Sequence, residues 1–118
     1  MYTYNAIVSK VYDGNTITVD IDLGFGIWKK KESIRLMGID TPELRGTFEI
    51  EKQKAVEARD FLHSLIMFKP IQIVSHGKDK YGRYLADVFF KNVNINQHLI
   101  IKGYAREYLG GKKEPWKF

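Results

Sequence analysis

No cysteine occurs among the 118 residues, which excludes disulfides and any thiolate metal site and leaves the redox compartment open. No apolar run approaches the ~18 residues that a membrane span requires. The N-terminal segment alternates like a strand and lacks the apolar block of a signal peptide. A cytoplasmic location is therefore expected, or a secreted one if a leader has been removed. Prolines number only three, and no internal repeat or low-complexity block appears. Acidic charge is the sign in deficit: 14 Asp and Glu face 19 Lys and Arg, giving a net charge of +5. That balance favours an anionic partner, a nucleic acid or a membrane surface.

What is present is alternation. Residues 5–12 and 16–23 place apolar side chains at every second position on either side of Asp13-Gly14, the pattern of an antiparallel β-hairpin closed by a tight turn. "GFG" at 24–26 marks a second turn, and "IWKKKESIRLMGI" carries a third strand to about Ile39. Pro42 and Gly46 hold the next segment in a loop, since proline lacks an amide donor and restricts its predecessor. From Glu51 to Phe68 the period becomes helical. Ala55, Ala58, Leu62 and Leu65 recur in steps of three and four, and Pro70 follows as a stop signal.

"IQIV" and "YLADVFF" are the next expected strands, on either side of "SHGKDKYGR". "NINQHLII" reads as a short helix capped by Asn94 or Asn96, with Gly103 past its end. Three strands, a helix, two strands and a helix give a mainly β fold with helices (α+β). The economical packing is a five-stranded OB-fold barrel of antiparallel strands with two to three helices. Residues 1–108 form the expected domain, and 109–118 a basic, flexible tail.

Three separated segments hold polar residues that a plain barrel core does not need. "VYDGNT" presents Asp13 and Asn15 at the first turn. "IRLMGIDTPE" places Arg35 on a strand and Asp40, Thr41 and Glu43 in the loop after it. "DKYGR" puts Lys80, Tyr81 and Arg83 in a tight turn. Arg35 shares parity with Met37 and Ile39, so a cation there must emerge at the barrel mouth or find an anion.

"YDGNT", "RLMGIDTPE", "DKYGRYLA" and "NQHLIIKGYA", in that order, resemble the staphylococcal nuclease (thermonuclease) family over nearly the whole chain, from about residue 7 to 106. The resemblance implies an OB-fold, Ca²⁺-dependent phosphodiesterase that cuts DNA and RNA to 3′-phosphate ends, with no membrane partner. By position it implies that Asp40 is a direct Ca²⁺ ligand, that Thr41 ligates through its carbonyl, and that Asp13 stands just behind the metal. It likewise implies that Glu43 holds or deprotonates the attacking water and that Arg35 and Arg83 grip the scissile phosphate. Lys80 and Tyr81 are the expected nucleic-acid-binding residues, Tyr81 resembling one that contacts the nucleotide's other phosphate. Asn15 departs from the pattern, since the family usually has a metal-binding carboxylate there.

The chemistry accounts for these residue types independently. Phosphodiester hydrolysis piles negative charge on the equatorial oxygens, which planar guanidinium forks match. Ca²⁺ takes six to eight oxygen ligands and needs neither His nor Cys; the three histidines lie outside the catalytic segments. An amide at position 15 keeps a ligand oxygen but removes one negative charge beside a doubly charged ion, weakening the attraction by some fraction of roughly 4 kcal/mol. Single-stranded DNA or RNA is the expected partner, with strong salt dependence and little sequence preference. Two alternatives stand beside the active enzyme: a catalytically weak or inactive nucleic-acid-binding module, motivated by Asn15, and a protein-interaction OB domain.

Overall fold

The computed structural model describes residues 2–46 and 48–118. Strand β1 (Tyr2–Asp13) turns into β2 (Thr16–Asp22), which pairs with β3 (Trp28–Leu36). A two-residue strand β4 (Ile39–Asp40) precedes helix α1 (Glu49–Ile66), followed by β5 (Pro70–Lys78), β6 (Tyr84–Phe90) and the short β7 (Val93–Asn94). Helix α2 (Ile95–Ile101) and strand β8 (Arg106–Glu107) complete the order. The strands lie in the order β3-β2-β1-β5-β6-β7, and β3 also pairs with β6, so five strands close into a barrel. The α+β barrel is the expected one, with two helices among the described residues. No helix there is long and apolar enough to cross a membrane.

Two features of the barrel differ from the sequence reading. The closing pair is parallel, Ile34 to Leu36 of β3 running alongside Tyr84 to Ala86 of β6, whereas all five strands are expected to be antiparallel. Strict alternation along β1 also fails. Val8 pairs with Val19 and Lys10 with Thr18, then Val11 pairs with Ile17 and Asp13 with Thr16. Ser9 and Tyr12 are therefore extra residues in two bulges, which bend a strand and re-aim its side chains. Val8 and Val11 both face the core while Ser9 and Lys10 both face out.

Inside, β-branched and aliphatic residues fill the barrel, among them Ile17, Val19, Ile34, Leu36, Ile73 and Val88. Helix α1 lays Ala55, Ala58, Leu62 and Ile66 on the core. In α2, Asn94 is the N-cap, its side chain accepting from the Gln97 amide. Asn96 is instead buried, where its Oδ1 accepts from Val88 N (3.1 Å) and its Nδ2 donates to the carbonyls of Met37 (2.8 Å) and Ala86 (3.1 Å). One amide thus ties α2 to both sides of the closing seam, the seam that carries Arg35.

Gly14 is not a left-handed turn residue: its φ is absent from the positive-φ positions. Its need is space. A Cβ there would stand 2.9 Å from Ala58 Cβ and 3.0 Å from Thr41 Cγ2, so the β1–β2 turn is seated directly on α1 and on the loop after β4. Gly14→Ala is expected to destabilise the fold by about 1–3 kcal/mol, the range for overpacking. Urea unfolding checks this, and an unchanged midpoint contradicts the close approach.

Candidate active site

Arg35 is buried, yet it has found no carboxylate. Its Nη1 donates to the carbonyl of Leu36 and its Nη2 to that of Ile39 at 2.7 Å. The sequence reading offered the barrel mouth or an anion; the guanidinium takes the turn's own carbonyls and a place on a cavity wall. Burial and then the charge of Arg83 push its pKa down, while Asp40, Asp13 and Asp79 pull it back. A guanidinium stays charged at any ordinary pH, so this site holds two neighbouring cations.

Arg83 is fixed by a local device. Asp79 Oδ2 accepts from Arg83 Nε at 2.8 Å, and Oδ1 accepts the backbone N–H groups of Tyr81 (2.8 Å) and Arg83 (3.0 Å). Gly82, at φ +84°, lets the chain reverse between them. The turn also stacks its own cation, with Arg83 5.4 Å and Lys80 5.3 Å from the Tyr81 ring centre. Together with Arg35, Lys80, Tyr81, Tyr108 and Lys113, Arg83 lines a cavity of about 440 Å³. Tyr108 is held there by its amide, which donates to the Gly38 carbonyl at 2.9 Å, while Tyr104 stacks on Phe61 at 4.3 Å instead.

Asp79 lines this cavity itself, whereas Asp40 and Glu43 lie beside it and reach it through Lys113. Asp40 is only 1% exposed. Its Oδ2 accepts from Arg106 Nη2 at 3.0 Å, and Lys113 Nζ stands 3.2 Å from its Oδ1 and 3.8 Å from Glu43 Oε1. Oδ1 nevertheless accepts no hydrogen bond, and the ammonium beside it is an ion-pair partner only. Glu43 is exposed, and its loop is held by Glu51, whose Oε2 accepts the Glu43 amide at 3.2 Å. Thr41 is buried under the Gly14 turn. In that turn Asn15 is buried, its Oδ1 accepting from Thr16 Oγ1 at 3.1 Å, while Asp13 Oδ1 accepts the Asn15 amide at 3.0 Å.

Four of the sequence-derived residues, Arg35, Lys80, Tyr81 and Arg83, thus share one cavity wall. Asp40 and Glu43 join it through a shared ammonium. Asn15, Thr41 and Asp13 sit off the wall, brought toward Asp40 by the Gly14 contact. Among the described residues no three Asp, Glu, His or Cys side chains converge as a ready metal cage. The donors present are two carboxylates, an amide oxygen and a backbone carbonyl, one carboxylate oxygen being buried with no hydrogen bond. That set suits a hard, oxygen-seeking cation in kind, at low charge. Sequence reasoning missed Arg106 and Lys113; the only signal was a basic tail, and their carboxylate lies 66 residues from Arg106. The segment expected as that tail also seats Trp116 4.0 Å from Arg106, which donates to the Glu114 carbonyl at 2.5 Å.

A family model described as "Staphylococcal nuclease homologue" matches residues 33–115. The chain belongs to this family. Three of the chain's relatives illustrate the family's range. An uncharacterized protein of Methanocaldococcus jannaschii is 35% identical over 130 residues, covering 90% of this chain and 60% of that protein. An uncharacterized endonuclease of Haemophilus influenzae is 32% identical over 108 residues, 92% of this chain and 54% of its own. A thermonuclease of Staphylococcus hyicus is 33% identical over 106 residues, 88% and 58%. The chain therefore spans somewhat over half the length of each. The family resemblance carried by "RLMGIDTPE" and "DKYGR" is borne out.

The Asp79 turn has a pH signature. Burial would raise the Asp79 pKa, but the amides of Arg83 and Tyr81 and the Arg83 guanidinium outweigh it and hold the carboxyl below its usual range. A depressed carboxyl contributes stability that is fully present above its unfolded pKa of about 3.9 and is lost as pH falls through the folded value. The melting-temperature advantage of the parent over Asp79→Asn is expected to be full at neutral pH and to shrink below about pH 4. An advantage that stays constant down to pH 2 contradicts this account.

Proposed function

We propose that this chain is a Ca²⁺-dependent phosphodiesterase that hydrolyses DNA and RNA, preferring single strands, and leaves 3′-phosphate ends. The observation that carries the reading is Arg35 and Arg83 on one cavity wall, the first bonded only to carbonyls. The endonuclease and thermonuclease among the relatives support the same chemistry.

In this reading the scissile phosphate seats on the two guanidiniums. Their fixed forks meet charge as it develops on the equatorial oxygens, with no reorganisation at the moment of reaction. Glu43 takes a proton from the attacking water. The water oxygen bonds to phosphorus, the P–O5′ bond breaks with its electron pair on the 5′ oxygen, and that oxygen takes a proton from solvent. Lys80 and Tyr81 engage the neighbouring phosphate. Asp40 through its unbonded Oδ1, Asn15 through its amide oxygen and Thr41 through its carbonyl would hold the ion, with Asp13 behind them. Bound there, Ca²⁺ supplies a hard Lewis acid that neutralises phosphate charge.

A second reading, a module that binds nucleic acid and cuts it slowly or not at all, is favoured by two observations. Asn15 lacks a carboxylate's charge, and the Lys113 ammonium already pairs with both acidic residues. Digestion of denatured DNA across a Ca²⁺ titration, with a chelator control, separates the readings. Ca²⁺-dependent digestion is expected. Glu43→Gln should lower kcat by about 10²–10⁴, the worth of a positioned base. Asn15→Asp should lower the half-maximal Ca²⁺ concentration about tenfold, a fraction of the charge interaction restored. Tight binding without digestion at any Ca²⁺ concentration supports the second reading, and neither binding nor digestion rejects both.

A further inference from the structure

A second cavity lies against Arg83 on the outer face of the barrel. It measures about 280 Å³ and is lined by Lys10, Tyr12, Thr16, Thr18, Ser33 and Arg83. Arg83 is the one residue that lines both it and the larger cavity.

Strand register explains how the groove is built. Lys10 lies opposite Thr18, and Thr18 opposite Ser33, while Thr16 lies opposite Arg35. Cross-strand partners project from the same face of a sheet. The row Lys10–Thr18–Ser33 therefore runs one step outward from the row that contains Arg35. Tyr12 is the extra residue of the second bulge, free of a ladder partner and re-aimed. Tyr12 is 49% exposed, and Lys10 Nζ stands 5.8 Å from its ring centre. Asp20, two residues beyond Thr18 on the same strand, is engaged elsewhere, pairing with Lys30 at 3.6 Å and accepting the Lys31 amide at 2.9 Å; Asp13, next to Tyr12, accepts the backbone N–H of Asn15 at 3.0 Å. The groove thus offers an ammonium, a guanidinium, a half-exposed aromatic ring and the hydroxyls of Thr18 and Ser33, that of Thr16 being given to Asn15.

A phosphodiester carries a nucleoside on each side of its phosphorus. With the phosphorus at Arg83, a nucleoside on one side of it can enter the larger cavity beside Tyr81 and a nucleoside on the other can enter this groove, because Arg83 lines both. We infer that the Lys10–Tyr12–Thr18–Ser33 groove is a second nucleotide subsite, in which a base stacks on Tyr12 and the adjoining backbone phosphate meets Lys10. This rests on the phosphodiesterase reading of Arg83. Aromatic stacking with a nearby cation is how single strands are held without sequence preference. The hydroxyls of Thr18 and Ser33 face the sugar-phosphate between them.

Calorimetric titrations with Ca²⁺ present, in a Glu43→Gln background that prevents turnover, test it with two ligands. Thymidine 3′,5′-bisphosphate fills only one side of the phosphorus; tetrathymidylate fills both. Tyr12→Ala should weaken tetrathymidylate about tenfold or more, and Tyr12→Phe should retain its affinity. Lys10→Ala should reduce the slope of log affinity against log salt by about one. All three variants should bind the bisphosphate as their parent does and melt at its temperature. Tetrathymidylate binding unaffected by Tyr12→Ala and Lys10→Ala overturns the subsite, as does a parallel loss for both ligands. A parent that fails to bind the bisphosphate overturns the phosphodiesterase reading, and the subsite with it.

Discussion

Two guanidiniums that repel each other are held against one cavity, and the rest of the site follows from how the fold holds them. Arg35 is bound by carbonyls, which satisfy its donors and leave its charge unneutralised. Arg83 is bound by a carboxylate that a five-residue turn supplies from within itself. The cost of keeping Arg35 out of water next to another cation appears in its lowered pKa, with burial the larger cause and Arg83 the second. Asp79, the carboxylate on the same wall, is committed to Arg83, so the cavity is left one anion short of its cations. Phosphate, with its planar-fork complementarity to arginine, is the group that removes that deficit most completely.

The fold supports this arrangement from several directions. The parallel seam between β3 and β6 carries Arg35 opposite Leu85, and buried Asn96 stitches that seam to α2. Gly14 allows the first turn to rest on Thr41, and Glu51 reaches from α1 to hold the Glu43 loop. Around the acidic residues the charge has been moderated. Asn15 is neutral, and Arg106 and Lys113 both pair with Asp40. In the proposed reading the ion meets a weak site until an anionic substrate adds its own charge, which couples metal to substrate binding.

Much of this was legible in the chain. The alternation around Asp13-Gly14, the helical stripe from Ala55 to Leu65 and the short helix after Val93 announce their elements, because local periodicity and capping chemistry are written in adjacent residues; which of Asn94 and Asn96 caps that helix is decided only by the fold, which buries Asn96. The polar segments announced the site by kind. What was not legible involves distance or direction. Alternation does not encode the direction of a partner strand, so the parallel closure was hidden. The bulges at Ser9 and Tyr12 depend on register with β2, which the single strand does not carry. Arg35 was conspicuous by parity, but its carbonyl partners exist only once the Gly38 turn has formed. Lys113 looked like one tail lysine among several, and only the folded chain sets it between Asp40 and Glu43.

The central claim is that Arg35 and Arg83 share one phosphate. Side-chain Nε–Hε signals of both arginines, assigned by arginine-to-lysine replacement and followed by NMR as thymidine 5′-phosphate is added with Ca²⁺, test this directly. The account predicts that both signals move together along a single binding curve. Movement of Arg83 alone, or two curves with different midpoints, contradicts it.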